Sequence, residues 1–352
     1  MLISDFDFQL PEELIAQTPL RKRADSRMLV LNREKQNWQD AHFYNLTNFL
    51  VPDDVLVLNN TKVFPARLFG QLETGAKVEI FLVKENEDEV WEALARPARR
   101  LKPGKIIGFG IGGEKLRAEV LDRNDDGKVF IRFAAPKEGE NFEQLLDELG
   151  KTPLPPYIKR DADNIGGIDR DRERYQTVFA SERGAIAAPT AGLHFTPEMI
   201  SQIKAAGITV AEITLHVGYG TFEPVRVEDL SEHKVSAERC EIPSETARVL
   251  NEAKAGGAKI LAVGTTTTRA LESFTDENGI LHSGTKMAGI TITPGYKFRF
   301  VDKLLTNFHL PRSSLLVLVS AFAGREFILS AYEHAVNERY RFYSYGDCML
   351  IV

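Results

Sequence analysis

The hydrophobic pattern of this 352-residue chain changes its period between residues 67 and 135, and this change constrains the fold more than any other feature. Over that region apolar and polar side chains alternate, which is typical of half-buried β-strands. The alternating segments KVEIFLV, EVWEALA, KLRAEVLD and KVFIRF are separated by the turn-forming stretches KENEDE, GFGIGGE and RNDDG. Short strands at this spacing predict a small antiparallel β-barrel or sandwich, closed by a short helix over FEQLLDELG.

On both sides of this region the pattern is that of helices alternating with strands. DVLVLNN predicts a buried strand before it, and ITVAEITLHVG, KILAVG, SSLLVLVSAF and YGDCMLIV predict strands after it. Helices are predicted over TPEMISQIKAAG, SETARVLNEAKAGG, TTTTRALESF and residues 325–339. Such alternation favours a mostly parallel sheet. We therefore expect a discontinuous α/β domain, residues 1–66 and 151–352, interrupted by a β-barrel domain at residues 67–150.

The charge balance limits how the chain could bind nucleic acid. The formal net charge is −6, whereas a protein that binds nucleic acid by bulk charge is usually basic. Any such binding must therefore use a local patch. RPARRLKPGK, at 96–105, is the strongest candidate, and its basic residues are Arg96, Arg99, Arg100, Lys102 and Lys105. The alternative is that this segment is only the solvated end of a hairpin; residues 159–174 are a weaker candidate because both signs are mixed there.

Other features predict a cytoplasmic protein that is not in a membrane and holds no metal. The apolar run at 315–324 is shorter than the roughly 18 residues that a membrane span requires, and the start of the chain lacks the basic segment of a signal peptide. The only cysteines, Cys240 and Cys348, are far apart. Neither a CxxC nor an HExxH pattern occurs, so we expect neither a disulfide framework nor a zinc site.

Two strand-exit loops carry residue types suited to a ligand. Open α/β sheets bind ligands where loops leave the carboxyl ends of strands. In AVGTTTTRAL the hydroxyls and free N–H groups at a helix start could hold a carboxylate or phosphate, and we predict substrate contacts from Thr265, Thr266, Thr267 and Arg269. The alternative is that the threonines only cap the helix. LHVGYGTF predicts a second such loop, with His216, Gly218 and Gly220.

Two further segments place a histidine beside small or turn-forming residues. AAPTAGLHFTPEM brings Thr190, Gly192 and His194 to the start of a helix. TNFHLPRS places His309 just before the apolar segment that follows. Any one of these histidines could be structural, but three of the chain's seven at such positions favour a pocket. GFGIGGE is not a dinucleotide fingerprint, because it lies between two alternating strands with no helix after it.

Taken in order, six motifs resemble the S-adenosylmethionine:tRNA ribosyltransferase-isomerase family of queuosine biosynthesis. They are DFDFQLPEELIAQTPL, DVLVLNNTKVFPARL, APTAGLHFT, HVGYGTF, VGTTTTRALES and TNFHLPRSSLLVLVSAFAG. The resemblance implies an α/β domain with an inserted β-barrel. It also implies transfer of the ribosyl part of S-adenosylmethionine to 7-aminomethyl-7-deazaguanine at the wobble position of tRNA, giving epoxyqueuosine with release of adenine and methionine.

This implied reaction indicates what the pocket must supply. The sulfonium acidifies the neighbouring ribose carbon, adenine leaves more readily when protonated, and the attacking amine must be neutral. A base and an acid that titrate near neutral pH are needed, and histidine suits both roles. We predict that His194 and His216 are this pair, that no cofactor is needed because S-adenosylmethionine is consumed, and that the enzyme is a monomer. The alternative is a non-catalytic tRNA-binding protein.

Overall fold

The computed structural model describes residues 1–86, 89–124, 127–160, 165–222 and 225–352, with only the backbone at 165–169 and 221–222. The strands are β1 (Arg27–Asn32), β2 (Asn37–His42), β3 (Val55–Asn59), β4 (Thr61–Val63), β5 (Arg67–Leu72), β6 (Lys77–Glu85), β7 (Val90–Arg96), β8 (Ile106–Phe109), β9 (Leu116–Arg123), β10 (Lys128–Phe133), β11 (Gly150–Lys151), β12 (Glu182–Ala185), β13 (Thr209–Leu215), β14 (Glu238–Ile242), β15 (Ile260–Val263), β16 (Gly284–Ala288), β17 (Lys303–Asn307) and β18 (Cys348–Ile351). The α-helices are α1 (Phe142–Leu149), α2 (Ile165–Arg174), α3 (Pro197–Ala205), α4 (Ser244–Ala255), α5 (Thr265–Phe274), α6 (Ser314–Ala323) and α7 (Arg325–Asn337).

Strands β5 to β10 form a closed antiparallel barrel. Its strand order is β5-β6-β7-β10-β9-β8, and β8 pairs again with β5 to close the ring. Inward and outward side chains alternate, as in β9, where Leu116, Ala118 and Val120 are buried between exposed neighbours. This burial explains the period of two in the sequence. The inserted antiparallel barrel is confirmed, although β5 and β8 were not among the predicted strands.

A nine-stranded sheet forms the rest of the core, in the order β16-β14-β13-β3-β15-β17-β18-β1-β2. Its four consecutive central strands, β13, β3, β15 and β17, are parallel to one another. Antiparallel strands extend the sheet on both sides, so four of the eight described pairings are parallel. The predicted α/β architecture is confirmed, and the sheet is mixed outside its parallel centre.

One predicted strand is a helix. SSLLVLVSAF forms α6, which begins after Ser313, whose Oγ accepts a hydrogen bond from the Leu316 N–H at 3.2 Å. Most of α6 is buried, and an apolar run of about ten residues is compatible with a buried helix or a buried strand. The serine cap is the signal that distinguishes them. Among the described residues no single helix is long and apolar enough to cross a membrane, although α6 and α7 pass that test together while bent by 115°.

Candidate active site

A cleft opens at the carboxyl ends of the neighbouring parallel strands β15 and β17. The loops that follow them bring Thr265, Thr266 and His309 to its wall, and the loop after β12 adds Thr190. These four are predicted site residues that the fold brings together. The remaining wall consists of Tyr157, Tyr175, Ala187, Ala188, Pro189, Ala191, Val217, Gly264, Thr306, Asn307, Leu315, Tyr343 and Ser344. The position agrees with the rule that α/β sheets bind ligands beyond their strand ends.

The start of α5 presents polar groups to this cleft. Gly264 connects β15 to the helix with a φ of +96°, a conformation that favours glycine. Thr265 and Thr266 face the cleft, whereas the Thr267 hydroxyl donates to the carbonyl of Val263, the last residue of β15, at 2.7 Å. The first N–H groups of a helix have no partner inside it and favour an anion. Thr267 thus supports the helix and does not line the cleft.

His309 is the histidine that lines the cleft. Its side chain is 5% exposed, and its Nε2 lies 3.0 Å from the Thr306 hydroxyl. Burial lowers the pKa of His309 to about 3, because an imidazolium would lose its hydration there. The imidazole is therefore neutral at neutral pH.

His194 lies behind the cleft and is joined to it by Asn307. Its Nε2 is 3.3 Å from Asn307 Oδ1, and its Nδ1 is 2.9 Å from the Ser26 hydroxyl. Asn307 Nδ2 donates to the carbonyl of Tyr343, so its Oδ1 must accept from His194, and the proton of the neutral ring sits on Nε2. Burial lowers the pKa of His194 to about 4. His194 does not line the cleft, so it can act on a ligand only through Asn307.

His216 lies beside the cleft and not in its wall, although the next residue, Val217, does line it. Its Nδ1 is 2.8 Å from the Thr61 hydroxyl. The ring packs so closely on Gly184 that a Cβ there would come within 2.6 Å of it. Partial burial lowers the pKa of His216.

The remaining predicted substrate contacts lie outside the cleft wall. Arg269 is 6% exposed and forms an ion pair with Glu238, at 3.1 Å from Nη1 to Oε2. Glu238 Oε1 accepts the Gly218 N–H at 2.8 Å. Gly192 and Gly220 are packing positions, since a Cβ would come within 2.7 Å of Phe179 in the first case and 2.6 Å of Ser236 in the second. The cleft wall does not include these four residues. Close packing holds Gly192 and Gly220, and Glu238 holds Arg269 and the Gly218 N–H.

The aromatic side of the cleft was not predicted from the sequence. Tyr157 and Tyr343 meet edge to face with ring centroids 4.0 Å apart, and the Tyr157 hydroxyl bonds the Ser344 hydroxyl. Tyr343 has a φ of +72°, which is uncommon for a bulky residue, and its carbonyl is held by Asn307. Tyr175 is buried and adds a third tyrosine to this wall. The cluster YRFYSYGD just before β18 is the signal that could have indicated this wall.

The basic segment of the barrel lies outside the cleft wall. Arg96 ends β7, and Arg99, Arg100, Lys102 and Lys105 follow it in the connection to β8. All five side chains are exposed. The segment is therefore open to solvent and available to a polyanion.

No group of three or more His, Cys, Asp or Glu side chains within the described ranges could hold a metal ion. Cys240 and Cys348 are both buried and free. Glu223 and residues 161–164 of the mixed-charge segment at 159–174 lie outside the described residues.

Comparisons with known proteins agree with the motifs and the fold. A family model described as queuosine biosynthesis protein matches residues 3–351. The S-adenosylmethionine:tRNA ribosyltransferase-isomerases of Trichlorobacter lovleyi and Desulforamulus reducens are 50% and 46% identical, each over 100% of both chains. The crystal structure of the S-adenosylmethionine tRNA ribosyltransferase of Thermotoga maritima aligns with 99% of this chain and 100% of its own, at 36% identity and a TM-score of 0.54. This chain therefore belongs to the queuosine biosynthesis protein family.

Proposed function

We propose that this chain is an S-adenosylmethionine:tRNA ribosyltransferase-isomerase that works in the cleft beyond β15 and β17. It transfers and isomerises the ribosyl group of S-adenosylmethionine onto 7-aminomethyl-7-deazaguanine at the tRNA wobble position, and adenine and methionine leave. The observation that carries this proposal is full-length identity of 46–50% to relatives of that name. The cleft adds a physical basis, because it combines an anion-binding helix start, aromatic rings and a neutral imidazole.

S-adenosylmethionine has two parts that these walls can bind separately. Its methionine carboxylate fits the start of α5, where Thr265 and Thr266 supply hydroxyls and the helix supplies N–H groups. A heteroaromatic base fits against Tyr343 and Tyr157, since flat rings stack favourably on aromatic side chains. Alanines at 187, 188 and 191 contribute small side chains to the same wall.

Proton transfer is assigned to His216 and His309, with His194 in a supporting position. His309 lines the cleft, and His216 is next to the cleft residue Val217. The neutral imidazole of His309 takes the proton from the ribose carbon beside the sulfonium, and His216 gives a proton to the departing adenine. His194 holds Asn307, and Asn307 holds the strained backbone of Tyr343. This differs from the pair predicted from sequence, because His194 is bonded at both ring nitrogens and buried.

The proposal also covers the partners of the enzyme, its location and its contact with tRNA. The partners are S-adenosylmethionine and a tRNA that carries the aminomethyl-deazaguanine base. The enzyme is a cytoplasmic monomer, and S-adenosylmethionine is consumed as a co-substrate without a further cofactor. The exposed basic segment Arg96–Lys105 contacts phosphates of the tRNA.

Product analysis tests the proposal directly. The purified protein is incubated with S-adenosylmethionine and tRNA bearing the aminomethyl-deazaguanine base. Adenine and methionine should appear in equal amounts, and the tRNA should gain epoxyqueuosine. Formation of S-adenosylhomocysteine would indicate a methyltransferase, and tRNA binding with no product at all would indicate the non-catalytic alternative.

A further inference from the structure

A second cleft lies where the barrel meets the α/β domain. Its wall includes Lys62 of β4, Arg183 of β12 and Arg172 of α2, together with Arg23 and Thr177. Strands β4 and β12 pair in parallel as a separate two-stranded sheet. Asp147 of α1, the helix that follows the barrel, also lines the cleft. This cleft is therefore built from both parts of the fold.

Cationic side chains outnumber carboxylates in the wall of this cleft. Four cationic side chains line it, against the carboxylates of Asp147 and Glu173. Asp147 serves two of the cations, with its Oδ1 at 2.9 Å from Arg183 Nη1 and 3.7 Å from Arg172 Nη2. One carboxylate cannot neutralise two guanidinium groups. In a chain with a net charge of −6, this local excess favours an anionic ligand.

Two buried donors in the same wall have no acceptor. The Thr177 hydroxyl forms no hydrogen bond with the described residues, and that side chain is 5% exposed. The Nη2 group of Arg183 is also buried without a partner in the described part of the chain. Buried polar groups are almost always hydrogen-bonded, and leaving one unpaired costs about 1–3 kcal/mol in general. An anion with several oxygens would satisfy both groups.

Tyr175 connects this cleft to the candidate active site. It lines both cavities, and its side chain is almost fully buried between them. A nucleotide whose base enters the active-site cleft past Tyr175 would leave its phosphates on the side of Lys62 and Arg183. Enzymes that modify a base commonly bring it out of its stack while the backbone stays at the surface.

We propose that the cleft formed by Lys62, Arg172, Arg183 and Thr177 binds the RNA phosphodiester beside the base that enters the active site. This inference rests on the proposed function and extends it by naming where the backbone lies. Lys62 and Arg172 are exposed and supply charge, while the partly buried Arg183 and the buried Thr177 donate hydrogen bonds. The site is separate from the exposed segment Arg96–Lys105, which contacts a different part of the tRNA.

The test compares two pairs of substitutions that each remove two positive charges. The cleft variant carries Lys62→Gln and Arg172→Gln, and the control carries Lys35→Gln and Lys204→Gln at exposed positions outside the cleft. Affinity for the aminomethyl-deazaguanine tRNA is measured over salt concentrations from about 50 to about 200 mM, a range in which phosphate contacts dominate the salt dependence. Affinity for S-adenosylmethionine is measured separately. A thermal midpoint equal to that of the parent establishes folding of each variant.

The cleft variant should bind tRNA about tenfold more weakly at physiological salt, and the slope of log K against log salt should flatten by about 1.4, which corresponds to two contacts to single-stranded phosphates. The control should match the parent, and affinity for S-adenosylmethionine should be unchanged in both. An unchanged slope in the cleft variant would overturn the proposal. An equal fall in S-adenosylmethionine affinity would also overturn it, because the anion would then be the methionine carboxylate. Failure of the parent to release adenine would count against the proposed function alone.

Discussion

At the scale of single residues, burial, hydrogen bonding and position relative to the cleft distinguish the three histidines near the active site. His194 and His309 are both buried, but His194 has hydrogen-bond partners at both ring nitrogens, and only His309 lines the cleft. His216 is partly exposed beside it. Sequence shows only that each histidine lies near glycine, proline or threonine. Whether a histidine contacts the ligand or supports the loop depends on which side of the loop faces the cleft. Tertiary packing determines that side.

The substitutions His216→Ala and His309→Ala should each slow the chemical step by about 100- to 10,000-fold, because a general acid or base contributes on that scale. Affinities for S-adenosylmethionine and tRNA should stay near those of the parent. Single-turnover rates and thermal midpoints are measured on the same samples. A rate within about threefold of the parent, below that range, would show that the residue is structural.

Acid should destabilise the protein partly through His194. Its pKa is about 4 in the folded protein, lowered first by burial, whereas an unfolded histidine titrates near 6.5. The unfolded chain therefore binds more protons between these values, and stability is lost as the pH falls below about 6.5. For His194 the loss at pH 5 is about 2 kcal/mol.

Urea unfolding at pH 7 and pH 5 measures this effect. The variant His194→Asn should lose about 2 kcal/mol less than the parent between the two pH values. His42→Asn, at an exposed position, is the control and should behave as the parent does. The same pH sensitivity in His194→Asn and the parent would contradict this account of His194.

At the scale of elements, the buried pair of Glu238 and Arg269 joins β14 to α5 and to the loop at Gly218. Glu238 accepts the Gly218 N–H and contacts Arg269, and Arg269 also donates to the Ser236 carbonyl at 3.1 Å. Two of the sequence motifs, HVGYGTF and VGTTTTRALES, are thus connected by a carboxylate that lies in neither of them. The pair explains why an arginine follows the threonines without contacting the cleft.

Removing one charge of this pair should be costly. Glu238→Gln leaves Arg269 buried without its counter-ion, so the free energy of unfolding should fall by about 3–5 kcal/mol. The double variant Glu238→Gln, Arg269→Gln should be less destabilised than Glu238→Gln alone, because no unpaired charge remains buried. Urea unfolding of these variants and of Glu245→Gln, an exposed control, tests this. A decrease below about 1 kcal/mol in Glu238→Gln would contradict it, since that is the range of an exposed pair.

The elements that could be predicted from sequence are those with a local signal. α3 begins after Thr196, whose hydroxyl accepts from the Met199 N–H at 3.3 Å, as the cap and Pro197 indicate. β5 and β8 lack a clear alternation of apolar and polar residues, so neither strand was predicted. α6 has no polar face, so its apolar run was wrongly predicted as a strand. Likewise, the threonines at 265 and 266 could be predicted to lie at the cleft, but Tyr157 and Tyr343 meet only through tertiary packing.

At the scale of the whole molecule, the barrel carries basic residues away from the α/β cleft and can extend contact along a tRNA. The boundaries of the two domains, at residues 66/67 and 150/151, stay a prediction, while the family and its activity are confirmed by the full-length relatives. The family and its activity could be predicted from sequence because six motifs of that family occur in order. Composition alone could not indicate a tRNA-modifying enzyme, since the chain is acidic.

The barrel segment should contribute to tRNA affinity through charge. Arg99→Ala with Arg100→Ala should weaken tRNA binding and flatten its salt dependence by about 0.7 for each phosphate that these arginines neutralise. Binding of S-adenosylmethionine should not change, because neither arginine lines the active-site cleft. Filter binding over a range of salt concentrations measures this. An unchanged slope would place the tRNA-binding surface elsewhere on the molecule.

The central claim is that S-adenosylmethionine reacts in the cleft beyond β15 and β17. A crystal structure of this protein with S-adenosylmethionine bound tests that claim most directly. We predict that the methionine carboxylate lies at the N–H groups of Thr265 and Thr266, that the adenine ring contacts Tyr343 or Tyr157, and that His309 faces the ribose. Binding of the ligand in the cleft of Lys62 and Arg183, or on the barrel, would contradict the account.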